Sequence, residues 1–99
     1  MIRVKDVEAL DGNTLRVTFT NGERRDIDVT QYINRGGIFA PIHDDPTFFR
    51  QVHVELGTIA WPNGADIDPD VLYLGLPPNA NEEEWRAAVK AHQSTQHAA

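Results

Sequence analysis

Residues 57–73 read GTIAWPNGADIDPDVLY, which compresses a strand, a tight turn and the start of a helix into one run. Ile59 and Trp61 alternate as the returning strand of a hairpin whose turn is Leu56-Gly57. Counting outward from that turn sets Val54 opposite Ile59 and Val52 opposite Trp61. All four apolar side chains then share one face, so turn and pattern agree on the register. Pro62 has no amide hydrogen to give a ladder, and the strand is expected to stop there. Asp68-Pro69 supplies an N-cap followed by proline at the first helical position, opening a short helix with Val71, Leu72 and Tyr73.

Upstream, Asp45-Pro46 repeats that signature before Phe48 and Phe49. Residues 30–43 hold a short helical turn, a Gly36-Gly37 break and an apolar segment with Ile38, Phe39 and Ile42, expected to pack under a sheet. Residues 14–20 alternate cleanly, with Leu15, Val17 and Phe19 on one face. A two-residue Asn21-Gly22 loop would pair those side chains with Asp28, Asp26 and Arg24. A three-residue loop, Thr20-Asn21-Gly22 with Gly22 left-handed, instead sets Leu15 opposite Ile27, Phe19 opposite Glu23 and Arg16 opposite Asp26. The three-residue loop is the better reading. In residues 2–10 the alternation of Ile2 and Val4 slips to Val7 and Ala9, which predicts a β-bulge near Lys5 and Asp6.

Downstream, residues 74–80 (LGLPPNA) read as a linker with paired prolines. Asn81 caps a helix, and Glu84 completes a capping-box pattern. Trp85, Ala88, Val89 and His92 fall on a narrow apolar stripe of that helix. The expected organisation is an α+β domain over residues 1–73, a linker over 74–80, a helix over 81–93 and a fraying tail over 94–99. Its strands form an antiparallel three-stranded meander and a two-stranded hairpin, with short helices packed on the sheet and the last helix on a Pro-rich tether.

Ninety-nine residues suffice for one core and not for two. The 40% hydrophobic and 24% charged content fits a soluble globular domain. There is no cysteine, which removes disulfides, thiolate nucleophiles and cysteine-based zinc sites. The opening, MIRVKDVEAL, alternates charges and does not read as a signal peptide, and no run approaches a membrane span. A cytoplasmic location is expected. The net charge is −6, with two Lys and seven Arg dispersed along the chain, so a phosphate-neutralising surface is not expected.

Several constellations invite chemistry. Asp66, Asp68 and Asp70 alternate as in a calcium loop, yet Val71 and Pro77 stand where such a loop needs Gly and Glu. Capping and dipole stabilisation of the following helix explain Asp68 and Asp70. His43, Asp44, Asp45 and His53 could build a metal or acid–base site, although no HxxxH or HxxE spacing fixes two ligands on one helix. His53 is expected to be a half-exposed surface residue, and His92 and His97 to be solvated. The only serine, Ser94, has no nucleophile elbow around it. Arg35-Gly36-Gly37 could hold an anion but lacks the Lys-Ser/Thr ending of a phosphate loop. Arg16, Arg24 and Arg25 lie among acids and read as a solvated, charge-paired sheet face.

From about residue 4 to 73 the chain resembles a small bacterial family of domains of unknown function, number 2442. The resemblance rests on LRVTFTNGERRDIDV, on GIFAPIHDDPTFFRQVHVELGTIAWPNG and above all on ADIDPDVLY. It implies a small α+β domain, followed in some members by a helix-turn-helix DNA-binding module. Residues 81–99 give one helix, too little for such a module. The resemblance also suggests a partner-binding or regulatory role in toxin–antitoxin-like gene pairs, and it carries no reaction with it.

Together these readings lead to the expectation of a non-enzymatic interaction module without cofactor or metal, possessing a protein partner or forming a homo-oligomer. Its expected contact surface is Trp61, Asn63 and Asp66 at the WPNG loop, with Trp85 and Val89 on the last helix. The rival readings are a small metal-dependent or acid–base enzyme using His43, Asp44, His53 and Asp66, and a transcription-related DNA-binding accessory domain.

Overall fold

Alternation along residues 14–19 decides the first layer. A computed structural model describes residues 2–97 of the chain, with side chains described as far as residue 92. Strand β2 (Thr14–Phe19) points Leu15, Val17 and Phe19 inward, all three with no exposed surface. It is flanked by β1 (Val4–Ala9) and β3 (Arg24–Asp28) in an antiparallel sheet ordered β1-β2-β3. The register is the one the three-residue loop requires, with Leu15 opposite Ile27 and Arg16 opposite Asp26. Gly22 takes φ +90°, and its amide closes the loop on the Phe19 carbonyl. The expected bulge lies between Val4 and Asp6.

The second sheet holds β4 (His53–Glu55), β5 (Thr58–Ala60) and β6 (Asp66–Ile67) in that order. Val54 lies opposite Ile59 as expected, but the β4–β5 ladder begins at His53, so Val52 and Trp61 are not ladder partners. The Val52 amide instead donates to Phe49 O, 3.3 Å. A third strand extends the expected hairpin because the chain turns back within Trp61-Pro62-Asn63-Gly64. Gly64 N–H donates to Trp61 O at 3.0 Å, and Trp61 N–H to Ala65 O at 2.9 Å. Proline second and glycine fourth suit that turn. Ile59 then pairs with Ile67. The two sheets meet where Val4 N–H donates to Gly57 O, 2.9 Å.

Between the sheets run α1 (Thr30–Ile33), a 3-10 turn at Gly37–Phe39, α2 (Ala40–Asp44) and α3 (Pro46–Phe49). Asp45 caps α3 by accepting from Thr47 N–H, with Pro46 first in the helix. The segment around Ile38 is helical. It buries Ile42 and half-buries Phe39, while Ile38 stays 49% exposed rather than packing under the sheet. Helix α4 (Pro69–Leu74) is capped by Asp68, and Gly75 ends it in the left-handed conformation, φ +68°.

The core joins both sheets and the short helices through Val4, Phe19, Ile33, Ile42, Phe49, Ile59, Trp61, Leu72 and Tyr73. Each such side chain contributes about 1.5–3 kcal/mol by leaving water. The linker is less free than its prolines suggest: Leu76 is buried, and its carbonyl accepts from the Tyr32 hydroxyl at 2.5 Å. Helix α5 (Glu82–His97) opens with the expected capping box, Glu84 N–H donating to Asn81 Oδ1 at 2.8 Å. It runs on to His97, past residue 93, where fraying was expected to begin.

Candidate functional site

The WPNG turn presents little of its tryptophan. Trp61 is 1% exposed, and its indole N–H donates to the Phe49 carbonyl at 3.0 Å. It therefore anchors the turn to α3 from within. Asn63 lies at the surface, but its amide is engaged on both sides. It donates to Ile38 O at 2.8 Å and accepts from Ala65 N–H at 3.1 Å, bolting the turn to the 3-10 corner. What this region offers outward is Pro62, Gly64, Ile38 and the exposed carboxylate of Asp66.

On α5, Trp85 is half-buried and Val89 is 39% exposed. The helix is held to the domain through His92, whose ring meets Tyr73 edge-on with centroids 4.9 Å apart. His92 is thus packed, not solvated as expected, because α5 lays it on the aromatic end of α4. Among the described residues no hydrogen bond, ion pair or ring contact joins Trp85 or Val89 to the WPNG turn.

Arg25 was expected on a solvated, charge-paired sheet face; it instead joins a polar cluster at the tip of the β2–β3 hairpin. Register places Glu23 and Arg25 on the same face as Phe19 and Val17, so they sit at the edge of the core rather than on the solvated face. The Arg25 guanidinium stacks over the Tyr73 ring, 4.3 Å from its centroid, and donates to Tyr73 O at 2.8 Å. It also bonds Glu23, while the Tyr73 hydroxyl donates to Glu23 at 2.9 Å and accepts from Asn21 at 3.1 Å. Hydrogen bonds from Arg25 first, then Tyr73, hold the Glu23 carboxyl below its ordinary range. Desolvation, then the bond to Glu23, pushes the Tyr73 phenol up. The missed signal was Arg25 opposite Val17, a charged residue on an apolar face. By contrast Arg16 and Asp26 pair on the solvated face at 2.9 Å, as expected.

The histidine candidates stand apart. His43 lies on α2, with Nδ1 2.9 Å from Asp44, and lines a cavity of about 170 Å³ with Asn13, Ile42, Phe49 and Arg50. His53 is exposed on β4, 3.8 Å from Glu55. His53, Ala60 and Asp66 follow one another across the second sheet, so His53 and Asp66 sit two strand spacings, roughly 10 Å, apart. Among the described residues no three His, Asp or Glu side chains gather to hold a metal ion. Nor is any helix there long and apolar enough to cross a membrane.

By its fold the chain is a small α+β domain of two three-stranded antiparallel sheets with short helices. The family described as protein of unknown function (DUF2442) matches residues 4–78, and the chain belongs to it. The match covers both sheets and α4 and stops before α5. The chain is also similar to a crystal structure, that of "Putative DNA Binding Protein NE0471" from Nitrosomonas europaea ATCC 19718. The two are 32% identical with a TM-score of 0.64, over 74% of this chain and 47% of that one. The chain thus spans about half the length of that protein. No curated protein matches it.

Proposed function

We propose that the chain is a non-enzymatic interaction module of the cytoplasm, the antitoxin-like or regulatory member of a small two-gene pair. The observation that carries this reading is α5: a capped helix whose Trp85–Val89 stripe is left largely outside the core it is tied to. A narrow apolar stripe of this kind suits docking into a groove on another protein. The first turn of α5 carries Glu82, Glu83 and Glu84, so the fitting groove has a basic rim. Ile38, Pro62 and Asp66 beside the WPNG turn supply a second patch for the same partner, with Trp61 and Asn63 holding that turn rigid. Purification of the chain from its native host tests this. A stoichiometric companion lost on Trp85→Ala or Val89→Glu is expected; recovery of the chain alone overturns the reading.

A second reading comes from the Nitrosomonas europaea protein, whose name proposes DNA binding. In this reading the domain is an accessory to a transcription-related DNA contact. The acidic balance of the chain, −6, sets the requirement: binding must survive moderate salt. A gel shift that is sequence-dependent and nanomolar under those conditions supports it over the first. A shift that vanishes with salt refutes it.

A further inference from the structure

We propose that the cavity between the α1–3-10 corner and the β6–α4 segment binds a small zwitterion, a free α-amino acid with an apolar side chain. The site goes beyond the partner reading and does not rest on it. Its walls include Tyr32, Arg35, Phe39, Asp66, Asp68 and Val71, and this open-mouthed cavity has a volume of about 160 Å³. That is below the size of a drug-like pocket. It is close to the roughly 150 Å³ cavity known to accept a benzene ring, so a single branched or aromatic side chain fits.

The chemistry of the walls is dipolar. Arg35 and Asp66 line the same cavity, yet neither side chain has a hydrogen-bond or ion-pair partner among the described residues, and they do not pair with each other. Exposed opposite charges that share a pocket ordinarily close on one another or on neighbours, as Arg16 and Asp26 do. Arg35 and Asp66 form no such pair. Gly36 and Gly37, at φ +74° and +56°, turn the corner that follows Arg35, and the β5–β6 ladder fixes Asp66. Asp68 lines the cavity too; its Oδ1 accepts from Asp70 N–H at 2.8 Å, and its charge adds to the attraction for an ammonium beside Asp66. The Tyr32 hydroxyl is likewise engaged with Leu76 O, which leaves only its ring to the cavity. A ligand that satisfies both free charges must carry a carboxylate for the guanidinium and an ammonium for the Asp66 carboxylate. Its apolar side chain would lie on Phe39 and Val71.

Calorimetry and amide NMR shifts on the full chain test this, using L-leucine and L-phenylalanine against N-acetyl-L-leucine and L-leucinamide. Saturable shifts at Gly36, Gly37, Ile67 and Val71 are expected with the free amino acids, with each capped analogue at least about tenfold weaker. Arg35 and Asp66 are both exposed, so Arg35→Gln and Asp66→Asn keep the fold, which matching circular dichroism confirms. Arg35→Gln should erase the advantage of leucine over leucinamide, and Asp66→Asn its advantage over N-acetyl-leucine. No response to either amino acid at about 20 mM, or capped analogues binding as well as free ones, overturns the proposal.

Discussion

Leu56 is the residue whose local conformation is most at odds with its side chain. It is the one non-glycine with positive φ among the described residues, at +51°, and it is 92% exposed. The left-handed region costs an L-residue about 1–2 kcal/mol, and two consecutive positive-φ residues are what Asn-Gly provides in a hairpin. Leu56→Asn should therefore stabilise the domain by about 1 kcal/mol. A melting temperature higher by about 4–8 °C would register it, and an unchanged or lower one would refute the account. Gly57 behaves oppositely. It sits at φ +77°, and an added Cβ would meet Arg3 Cδ at 2.8 Å and Arg3 Cβ at 3.1 Å. Gly57→Ala should destabilise by about 1–2 kcal/mol, read from the denaturation midpoint; a neutral result would mean the sheet junction yields easily. The turn chemistry at this pair was legible in sequence. The approach of Arg3 was not, since it joins residues distant along the chain.

Between elements, the interaction of the β2–β3 hairpin with α4 gives Glu23 a share in how the domain responds to acid, beside Asp26 and Asp28. The Glu23 carboxyl titrates below its ordinary 4.5 because Arg25 and Tyr73 bond its charged form. Its contribution is therefore present above pH 4.5 and is lost as pH falls through the lower folded value. Glu23→Gln should be less stable than wild type at neutral pH, with the gap narrowing below that point. Urea midpoints over the acid range check it, and parallel curves would exclude Glu23 as a source of the slope. Helix α5 answers differently. Asn81→Ala removes a cap that contributes about 0.5–2 kcal/mol, but α5 lies outside the core cluster. Faster amide exchange confined to α5, at an unchanged global midpoint, is the expected outcome; a lowered global midpoint would show the helix to be integral. Sequence revealed this helix through its capping box, while its attachment through His92 depended on where Tyr73 came to rest.

For the whole molecule, the core draws on residues 4–73 and is completed by Leu76, so the domain and its last helix are separable in energy. Removing residues 79–99 should leave a cooperatively unfolding domain that loses the Tyr73–His92 contact, about 0.5–1.5 kcal/mol, and the partial burial of Trp85. A broad, non-cooperative melt of the shortened chain would contradict this separation. Of the residues read as a contact surface, Asp66 and Val89 lie exposed and Trp85 is half-buried. Trp61 was placed correctly on a core face and also offered as a contact, and only one of those fits an indole that is 1% exposed.

Alternation, turn residues and caps determined the first five strands, the three-residue loop, the bulge and every Asp-Pro helix start, because each is a contest among neighbours within a few residues. Tertiary structure alone decided that Asp66 and Ile67 return as a sixth strand, that Arg25 leaves the solvated face to stack on Tyr73, and that Arg35 and Asp66 share a cavity. Those outcomes depend on which distant surfaces meet, and local spacing does not encode that distance.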